Sequence, residues 1–207
     1  MLKVAVLVSG GGTNLQALID SIGNGSIKNA EIVRVISSKR GVRALERAEK
    51  AGIDAMVVAR RDYDSAEAFD KALTAALKEC SAELIVLAGY LSVLSPELVR
   101  NYENRIINIH PSLIPAFCGV GYYGLKVHEE ALARGVKVTG ATVHFVDEGC
   151  DSGPIIMQKS VEVREDDTPE TLQRRVMEEA EWKLLPEAVD LIAAGKVRVE
   201  NRKTYIS

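Results

Sequence analysis

An apolar run that ends in three glycines opens the chain: Lys3-Val4-Ala5-Val6-Leu7-Val8-Ser9-Gly10-Gly11-Gly12-Thr13-Asn14. Its β-branched residues predict a buried strand over Lys3–Ser9. Apolar residues then recur every three or four positions, which predicts a helix over Asn14–Ile22. A strand joined to a helix by a short glycine loop is typical of the first unit of an α/β sheet.

The alternation of strands and helices continues beyond this first unit. Further strands are predicted at Glu31–Ser37, Met56–Val58, Glu83–Leu87 and Arg105–Ile109. Helices are predicted at Arg43–Ala51, Ala66–Cys80, Pro96–Asn101 and Gly124–Arg134. Strands that alternate with helices in this way predict a doubly wound, mostly parallel sheet of the Rossmann-like α/β class.

The pattern changes in the last part of the chain. Two strand-like runs, Lys137–Asp147 and Pro154–Val163, follow each other across a glycine- and aspartate-containing loop, so we expect an antiparallel extension of the sheet. A C-terminal helix is predicted from Thr168 to a stop at Gly195, with a break near Pro186.

Composition excludes several classes of protein. The 207 residues carry a net charge of −3, too little positive charge for a general nucleic-acid binder. No apolar stretch is long enough to span a bilayer, and no signal peptide is recognisable. Three widely spaced cysteines, Cys80, Cys118 and Cys150, indicate neither a disulfide scaffold nor a zinc site, so we expect a cytoplasmic protein without a metal. We find no repeat or linker and predict a single domain over residues 1–207.

The glycine loop, Ser9 to Asn14, has the chemistry of a phosphate site. Successive glycines let backbone N–H groups turn toward an anion, and the N-terminus of the following helix adds partial positive charge. A dinucleotide site fits poorly, since Leu15 replaces the third glycine and Ser37-Ser38-Lys39 offers no acidic residue for a ribose. The loop therefore predicts a mononucleotide phosphate site, with a tight strand-to-helix turn of no further function as the alternative.

Two polar side chains interrupt a strand that should be apolar. Asn108 and His110 stand two positions apart at the carboxyl end of Arg105–Ile109, so they share one face of the sheet. An amide beside an imidazole can stabilise an oxyanion and supply a proton. The alternative is a hydrogen-bonded pair in the core. We expect His128 to be structural or exposed, and we rank His144 well below His110.

An acidic turn, Asp147 to Pro154, separates the two last strand-like runs. This segment is either a solvated turn or a loop that brings a carboxylate back onto His110. In the second case, a carboxylate would raise the pKa of His110 and favour its charged form.

Five motifs together carry a resemblance to a known family. They are Val6-Leu7-Val8-Ser9-Gly10-Gly11-Gly12-Thr13-Asn14-Leu15-Gln16-Ala17, Leu87-Ala88-Gly89-Tyr90, Ile107-Asn108-Ile109-His110-Pro111-Ser112-Leu113-Ile114-Pro115, Gly140-Ala141-Thr142-Val143-His144-Phe145-Val146 and Asp151-Ser152-Gly153-Pro154-Ile155-Ile156. In this order, over nearly the whole chain, they resemble the folate-dependent phosphoribosylglycinamide formyltransferases. The resemblance implies a Rossmann-like formyltransferase fold. It also implies formyl transfer from 10-formyltetrahydrofolate to the amine of phosphoribosylglycinamide, in de novo purine synthesis.

The resemblance also assigns roles to residues. It implies that Asn108, His110 and Asp151 are catalytic, with His110 as proton donor and Asp151 tuning it. The substrate would be held by Gly12, Thr13 and Asn14 at its phosphate and by Glu181 at its ribose. The folate pocket would be lined by Leu91, Ser92, Val93 and Leu94 and, with Asn108, by the loop of Asp147, Glu148, Gly149, Cys150 and Asp151. Residues 1–100 would then form the phosphate-binding half, and residues 101–207 the catalytic and folate-binding half.

Some residues depart from the family pattern. Ala66 and Ser92 stand where some members carry arginines that face the folate tail, and Phe117–Gly124 forms a longer glycine-rich loop, which we expect to be a mobile flap. The spacing before Glu181 also varies by one residue within the family. The resemblance implies small-molecule substrates, with no nucleic acid or membrane partner, and leaves both a monomer and a homodimer open.

Three other functions are compatible with parts of this sequence. A formyltetrahydrofolate deformylase usually carries an N-terminal regulatory module, and this chain starts at its first strand. A methionyl-tRNA formyltransferase adds a basic C-terminal domain, and this chain ends at Ser207. We therefore expect neither. A nucleotide-binding sensor without activity would explain the glycine loop, but not Asn108, His110 and Asp151.

Overall fold

Seven strands form one sheet in the computed structural model, which describes all 207 residues. The strands are β1 (Leu2–Val8), β2 (Ala30–Ser37), β3 (Ala55–Val57), β4 (Leu84–Leu87), β5 (Ile106–His110), β6 (Val138–Phe145) and β7 (Ile155–Glu162). Their spatial order is β3-β2-β1-β4-β5-β6-β7. The pairs from β3 to β5 are parallel, whereas β5–β6 and β6–β7 are antiparallel. The predicted doubly wound sheet with an antiparallel extension is therefore confirmed.

Helices cover both faces of this sheet. They are α1 (Thr13–Gly23), α2 (Arg43–Lys50), α3 (Ala66–Glu79), α4 (Pro96–Asn101), α5 (Leu125–Arg134), α6 (Pro169–Val176) and α7 (Trp182–Ala193), with a 3₁₀ turn at Arg60–Asp62 and a π-helical turn at Met177–Glu181. None of the helices is long and apolar enough to cross a bilayer.

Strand β1 shows how one apolar run supports two cores. Val4, Val6 and Val8 join the cluster that contains Leu15 of α1 and several α7 residues. The residues between them, Ala5 and Leu7, join the opposite cluster, with apolar side chains of α3 and α4. Because side chains alternate along a strand, only a strand covered on both faces remains apolar at every position.

Two features of the C-terminal region differ from the sequence prediction. The predicted break near Pro186 is wrong, because Pro186 lies inside α7 and the irregular turn precedes it, at Met177–Glu181. Pro186 cannot donate to the carbonyl of Trp182 four residues earlier, so the helix departs from regular geometry just before Trp182 rather than at the proline itself.

The second difference is a hairpin that follows Gly195. Strands β8 (Val197–Glu200) and β9 (Lys203–Ile206) form a separate two-stranded antiparallel sheet. Its turn places Asn201 and Arg202 at positive φ. The alternation of apolar and polar residues in Val197–Glu200 was a usable signal, but runs of four residues are too short to stand out.

The topology places one crevice in the sheet. After β1 the chain moves to β2 on one side and later returns to β4 on the other, so the strand order reverses between β1 and β4. In open α/β sheets, ligands bind outside the carboxyl ends of the strands at such a reversal. The glycine loop follows β1, and Asn108 and His110 belong to β5, the strand next to β4.

Candidate active site

Ser9 ties the loops at this edge of the sheet together. Its hydroxyl lies 2.6 Å from the hydroxyl of Ser38, at the end of β2, and accepts a hydrogen bond from the backbone N–H of Leu91 at 2.8 Å. One buried side chain at the end of β1 therefore links the glycine loop to the segments that follow β2 and β4.

The glycine loop presents free donors. The N–H groups of Gly11, Gly12, Thr13 and Asn14 donate to no backbone carbonyl or side chain within the protein. Gly12 has φ +70°, a conformation that L side chains rarely adopt, and it stands immediately before α1. Unpaired N–H groups at the N-terminus of an eleven-residue helix form a suitable environment for an anion.

Glu181 reaches this loop from the other end of the chain. The Asn14 side-chain amide donates to Glu181 Oε2 at 2.6 Å, and both side chains are buried. The hydroxyl of Thr13 also donates to Met177 Sδ at 3.8 Å. The π-helical turn Met177–Glu181 therefore brings Glu181 to the residues predicted to hold the substrate phosphate.

Burial strongly perturbs Glu181. It raises the pKa of this carboxyl from 4.5 to about 7, and the hydrogen bond from Asn14 opposes the rise only in part. A carboxyl group whose pKa stands near neutrality inside a crevice is a candidate functional group.

Asp151 lies at the centre of the predicted catalytic residues. Its Oδ1 is 3.4 Å from the amide nitrogen of Asn108, and its Oδ2 is 3.6 Å from His110 Nδ1. The backbone N–H of Gly119 donates to Oδ2 at 2.9 Å. The structure therefore brings Asn108, His110 and Asp151 together, and the acidic turn folds back onto the end of β5.

His144 belongs to the same cluster, although its position in the sequence gave it a much weaker signal than that of His110. It stands directly opposite Asn108 in the β5–β6 pairing, with its Nε2 3.2 Å from the Asn108 amide nitrogen and 3.6 Å from Asp151 Oδ1. His144 Nδ1 lies 2.8 Å from the Phe145 carbonyl, which can only accept. In the neutral ring, Nε2 therefore accepts from Asn108 and orients its amide. This contact depends on the register between β5 and β6, which cannot be derived from the sequence alone.

The direction of the His110 pKa corrects one expectation. A carboxylate folded back onto this ring was expected to raise its pKa, but burial lowers the pKa of His110 below its usual value. The Phe117 carbonyl and Asp151 oppose that effect without reversing it. Burial alone would raise the pKa of Asp151, but His144 and His110, when they are protonated, and the Gly119 N–H lower it. The resting pair is therefore a neutral imidazole beside a carboxylate.

The glycine-rich loop Phe117–Gly124 contacts both members of this pair. His110 Nε2 is 2.9 Å from the Phe117 carbonyl, and the Gly119 N–H donates to Asp151 Oδ2. The carbonyl can only accept, so Nε2 carries the proton and Nδ1 of the neutral ring faces Asp151. The expectation of a mobile flap remains a prediction, but the loop does cover the two groups.

The residues predicted to line the folate pocket have diverse surroundings. Leu91 and Val93 are large apolar side chains that remain exposed, whereas Ser92 and Leu94 are half-buried. Asp147 accepts from Ser152 and Arg202, and Glu148 pairs with Arg100 at 2.8 Å. The side chains of Asp147 and Glu148 therefore bind to residues outside the Asp151 cluster. The thiol of Cys150 lies 3.9 Å from Asp151 Oδ2.

His128 lies in α5 and is buried, as a structural residue would be. Neither of its ring nitrogens has a hydrogen-bond partner, and burial lowers its pKa to about 4. No group of three or more histidine, cysteine or acidic side chains is arranged to hold a metal ion.

Comparison with known proteins points to one family. The sequence profile of the formyl transferase family matches residues 2–189. The trifunctional purine biosynthetic protein adenosine-3 of Gallus gallus is 49% identical over 197 residues, which are 95% of this chain and 19% of that protein. The chain therefore spans between 14% and 19% of the length of the trifunctional relatives that it matches.

Solved structures agree with this comparison. Glycinamide ribonucleotide transformylase 1 from Symbiobacterium toebii superposes with a TM-score of 0.93 at 44% identity, covering 100% of this chain and 94% of that one. A formyltetrahydrofolate deformylase from Pseudomonas syringae superposes with a TM-score of 0.89 at 29% identity, covering 99% of this chain and 65% of that one. The same fold therefore serves proteins named for two different formyl acceptors.

Proposed function

Because the chain belongs to the formyl transferase family, we propose that it transfers the formyl group of 10-formyltetrahydrofolate to the amine of phosphoribosylglycinamide, a step of de novo purine synthesis. The products are the N-formyl ribonucleotide and tetrahydrofolate. The observation that carries this proposal is that Asp151 contacts Asn108 and His110 at the same edge of the sheet as an anion-binding glycine loop. A phosphorylated acceptor and a formyl donor both find suitable chemistry there.

The acceptor end is assigned to the glycine loop and Glu181. The phosphate would take the free N–H groups of Gly12, Thr13 and Asn14, with no excess of cationic side chains required. Glu181 would accept from the ribose hydroxyls, since a buried carboxylate with one protein donor has acceptor capacity left. Because Asn14 and Glu181 are already bonded, the phosphate and ribose subsites are adjacent. The division into residues 1–100 and 101–207 stays a prediction, and this contact crosses it.

Formyl transfer then proceeds by addition and elimination. The glycinamide nitrogen attacks the formyl carbon, and the carbonyl oxygen becomes an oxyanion that the N–H groups of Asn108 and His110 stabilise. The C–N bond to the folate breaks, and the folate nitrogen takes up one proton while the acceptor nitrogen loses one. Asp151, through water, receives the proton of the acceptor amine and passes it to His110 Nδ1, while His110 Nε2 gives its own proton to the folate nitrogen, so the ring does not become an imidazolate and the count of protons balances. For this, the formyl oxygen has to replace the Phe117 carbonyl at His110 Nε2 and Asp151 Oδ1 at the Asn108 amide.

We assign the folate itself to the segment Leu91–Leu94 and the loop Asp147–Asp151, with Asn108 beside them. The exposed apolar side chains of Leu91 and Val93 suit an aromatic ligand, and backbone groups of the loop suit the pterin edge. We infer further that the enzyme works in the cytoplasm, as a monomer or homodimer, with small molecules as its only substrates. The three unpaired cysteines fit a reducing compartment.

The principal rival is hydrolysis of the formyl donor. In one assay, purified protein receives 10-formyltetrahydrofolate with and without phosphoribosylglycinamide, and tetrahydrofolate release is followed. We expect release only when the ribonucleotide is present. Release that is independent of the ribonucleotide would identify a deformylase, and no release under either condition would favour a nucleotide sensor.

The catalytic assignment has its own test. We expect His110→Ala and Asp151→Asn to lower kcat by at least about a hundredfold, the typical contribution of a general acid–base group. Ribonucleotide binding, measured by calorimetry, should remain close to that of the wild type. Asp166→Asn makes the same charge change at an exposed site and serves as the control. Turnover near the wild-type rate in both active-site variants would refute the assigned roles.

A further inference from the structure

Two consecutive carbonyl groups of the glycine loop are attached to helix α2. The Gly10 carbonyl accepts from the Ala44 backbone N–H at 3.2 Å, and the Gly11 carbonyl accepts from Arg47 Nε at 2.9 Å. The first of these bonds is made by the backbone and is independent of residue type. The second depends on the side chain of Arg47.

Because the peptide bond is planar, these two hydrogen bonds also fix the direction of the N–H groups of Gly11 and Gly12. In a trans peptide, the carbonyl of one residue and the N–H of the next point in opposite directions. Fixing the Gly10 and Gly11 carbonyls toward α2 therefore turns the Gly11 and Gly12 N–H groups away from α2. Neither N–H donates to any group of the protein, so both remain available to a ligand.

The side chain of Arg47 is itself held in place. Its Nη1 donates to Gln16 Oε1 at 2.9 Å, so the guanidinium bridges the loop and the first turns of α1. Helix α2 also packs closely against the loop, because a Cβ added to Gly12 would lie 2.7 Å from Ala44 Cβ. The planar fork of an arginine can serve two acceptors in fixed directions, which a flexible ammonium group does less well.

We propose that Arg47 is a positioning residue for the acceptor phosphate: it holds the Gly11 peptide so that the Gly12 N–H is aimed at the anion. This rests on the proposed function, and it adds a residue outside the glycine loop that determines affinity for the phosphorylated substrate. The Nε and Nη1 of Arg47 donate to Gly11 and Gln16, so its role is exerted through the Gly11 peptide.

A general effect of positive charge is the competing explanation, and the chain offers a matched control. Arg43 lies one turn earlier on α2, is exposed and makes no side-chain hydrogen bond or ion pair. Arg43→Met and Arg47→Met remove the same charge from the same helix, but only the second releases the Gly11 carbonyl.

The test measures steady-state kinetics with both substrates varied. We expect Arg47→Met to raise KM for the ribonucleotide about tenfold, the effect of misaligning one hydrogen bond to a charged group. The kcat and the KM for the folate should stay within about twofold. Arg47→Lys can still donate to Gly11 but cannot hold both acceptors in fixed directions, so it should recover part of the affinity. Arg43→Met should behave as the wild type.

A spectroscopic measurement separates orientation from mere stability. In amide NMR spectra, addition of inorganic phosphate should shift the Gly11 and Gly12 N–H signals in the wild type and in Arg43→Met, but much less in Arg47→Met. If Arg47→Met does not fold, Gln16→Met loosens the same arginine and should raise the ribonucleotide KM by about threefold.

The outcomes distinguish the two proposals. A wild-type enzyme without ribonucleotide-dependent turnover overturns the proposed function and the role of Arg47 with it. With an active wild type, an unchanged ribonucleotide KM in Arg47→Met overturns only the role of Arg47. An equal rise in Arg43→Met, or an equal rise in the KM for both substrates, overturns it as well.

Discussion

Replacing Glu181 with glutamine should make the protein more stable at alkaline pH while weakening substrate binding. Glu181 is buried, with one hydrogen bond from Asn14, and its pKa is raised from 4.5 to about 7. A glutamine has nearly the same shape, can accept the same bond and carries no charge. The variant therefore removes the burial of an ionised carboxylate and little else.

The sign and size of the effect follow from proton linkage. Between about pH 4.5 and 7 the folded state binds more protons at Glu181 than the unfolded state, so the free energy of unfolding falls as pH rises. Above about pH 7 both states are ionised and the loss is complete, amounting to about 3 kcal/mol. Glu181→Gln should match the wild type at about pH 4.5 and exceed it by up to about 3 kcal/mol at about pH 8.

Urea denaturation of both proteins across this pH range measures the difference in their free energies of unfolding. The contributions of all other titrating groups cancel in this difference. For a chain of this size, the gain corresponds to a rise in Tm of roughly 6–12 °C at alkaline pH. Ribonucleotide binding should weaken in parallel, because an amide is a poorer acceptor for ribose hydroxyls than a carboxylate. A stability difference that is the same at all pH values would refute the argument from burial.

Two further predictions concern the loop and the core. Gly12→Val places a side chain at φ +70° against Ala44, so it should lower the free energy of unfolding by about 2–4 kcal/mol and weaken ribonucleotide binding more than folate binding. The control is Gly23→Ala, where an added Cβ meets nothing and stability should stay close to that of the wild type. Equal effects of the two variants would contradict this prediction. His128→Leu removes two unpartnered ring nitrogens. Because the folded-state pKa of His128 is lowered to about 4, wild-type stability falls as pH drops below about 6.5, and the variant should gain about 2 kcal/mol at about pH 5 in urea denaturation. If the free energies of unfolding of the two proteins fall equally between about pH 6.5 and 5, this prediction is contradicted.

Much of the architecture was predictable because it depends on short-range patterns. The period of apolar residues distinguishes strand from helix, and the glycine loop after β1 identifies the start of an α/β unit. The exceptions had local causes. The β8–β9 hairpin is too short for its alternation to be visible, and the irregularity attributed to Pro186 lies before Trp182, where the proline removes a hydrogen bond.

The candidate site likewise contains residues that could be predicted from the sequence and residues that could not. Asn108 and His110 could be singled out because polar residues at a two-residue spacing are unusual in a buried strand. His144 could not, since its contact with Asn108 depends on the register of an antiparallel pair formed much later in the chain. Asp151 does act to raise the His110 pKa as expected, but the net direction is downward, because the extent of desolvation cannot be derived from sequence.

The amino-acid sequence by itself determined the order of strands and helices along the chain, the position of the glycine loop and the residue types of the candidate site. These properties are set by neighbours within a few positions along the chain. The tertiary structure alone decided that Asp151 meets His110, that Glu181 meets Asn14 and that Arg47 holds the Gly11 carbonyl. Such contacts, and the pKa values that follow from burial, depend on how distant segments pack and exclude water.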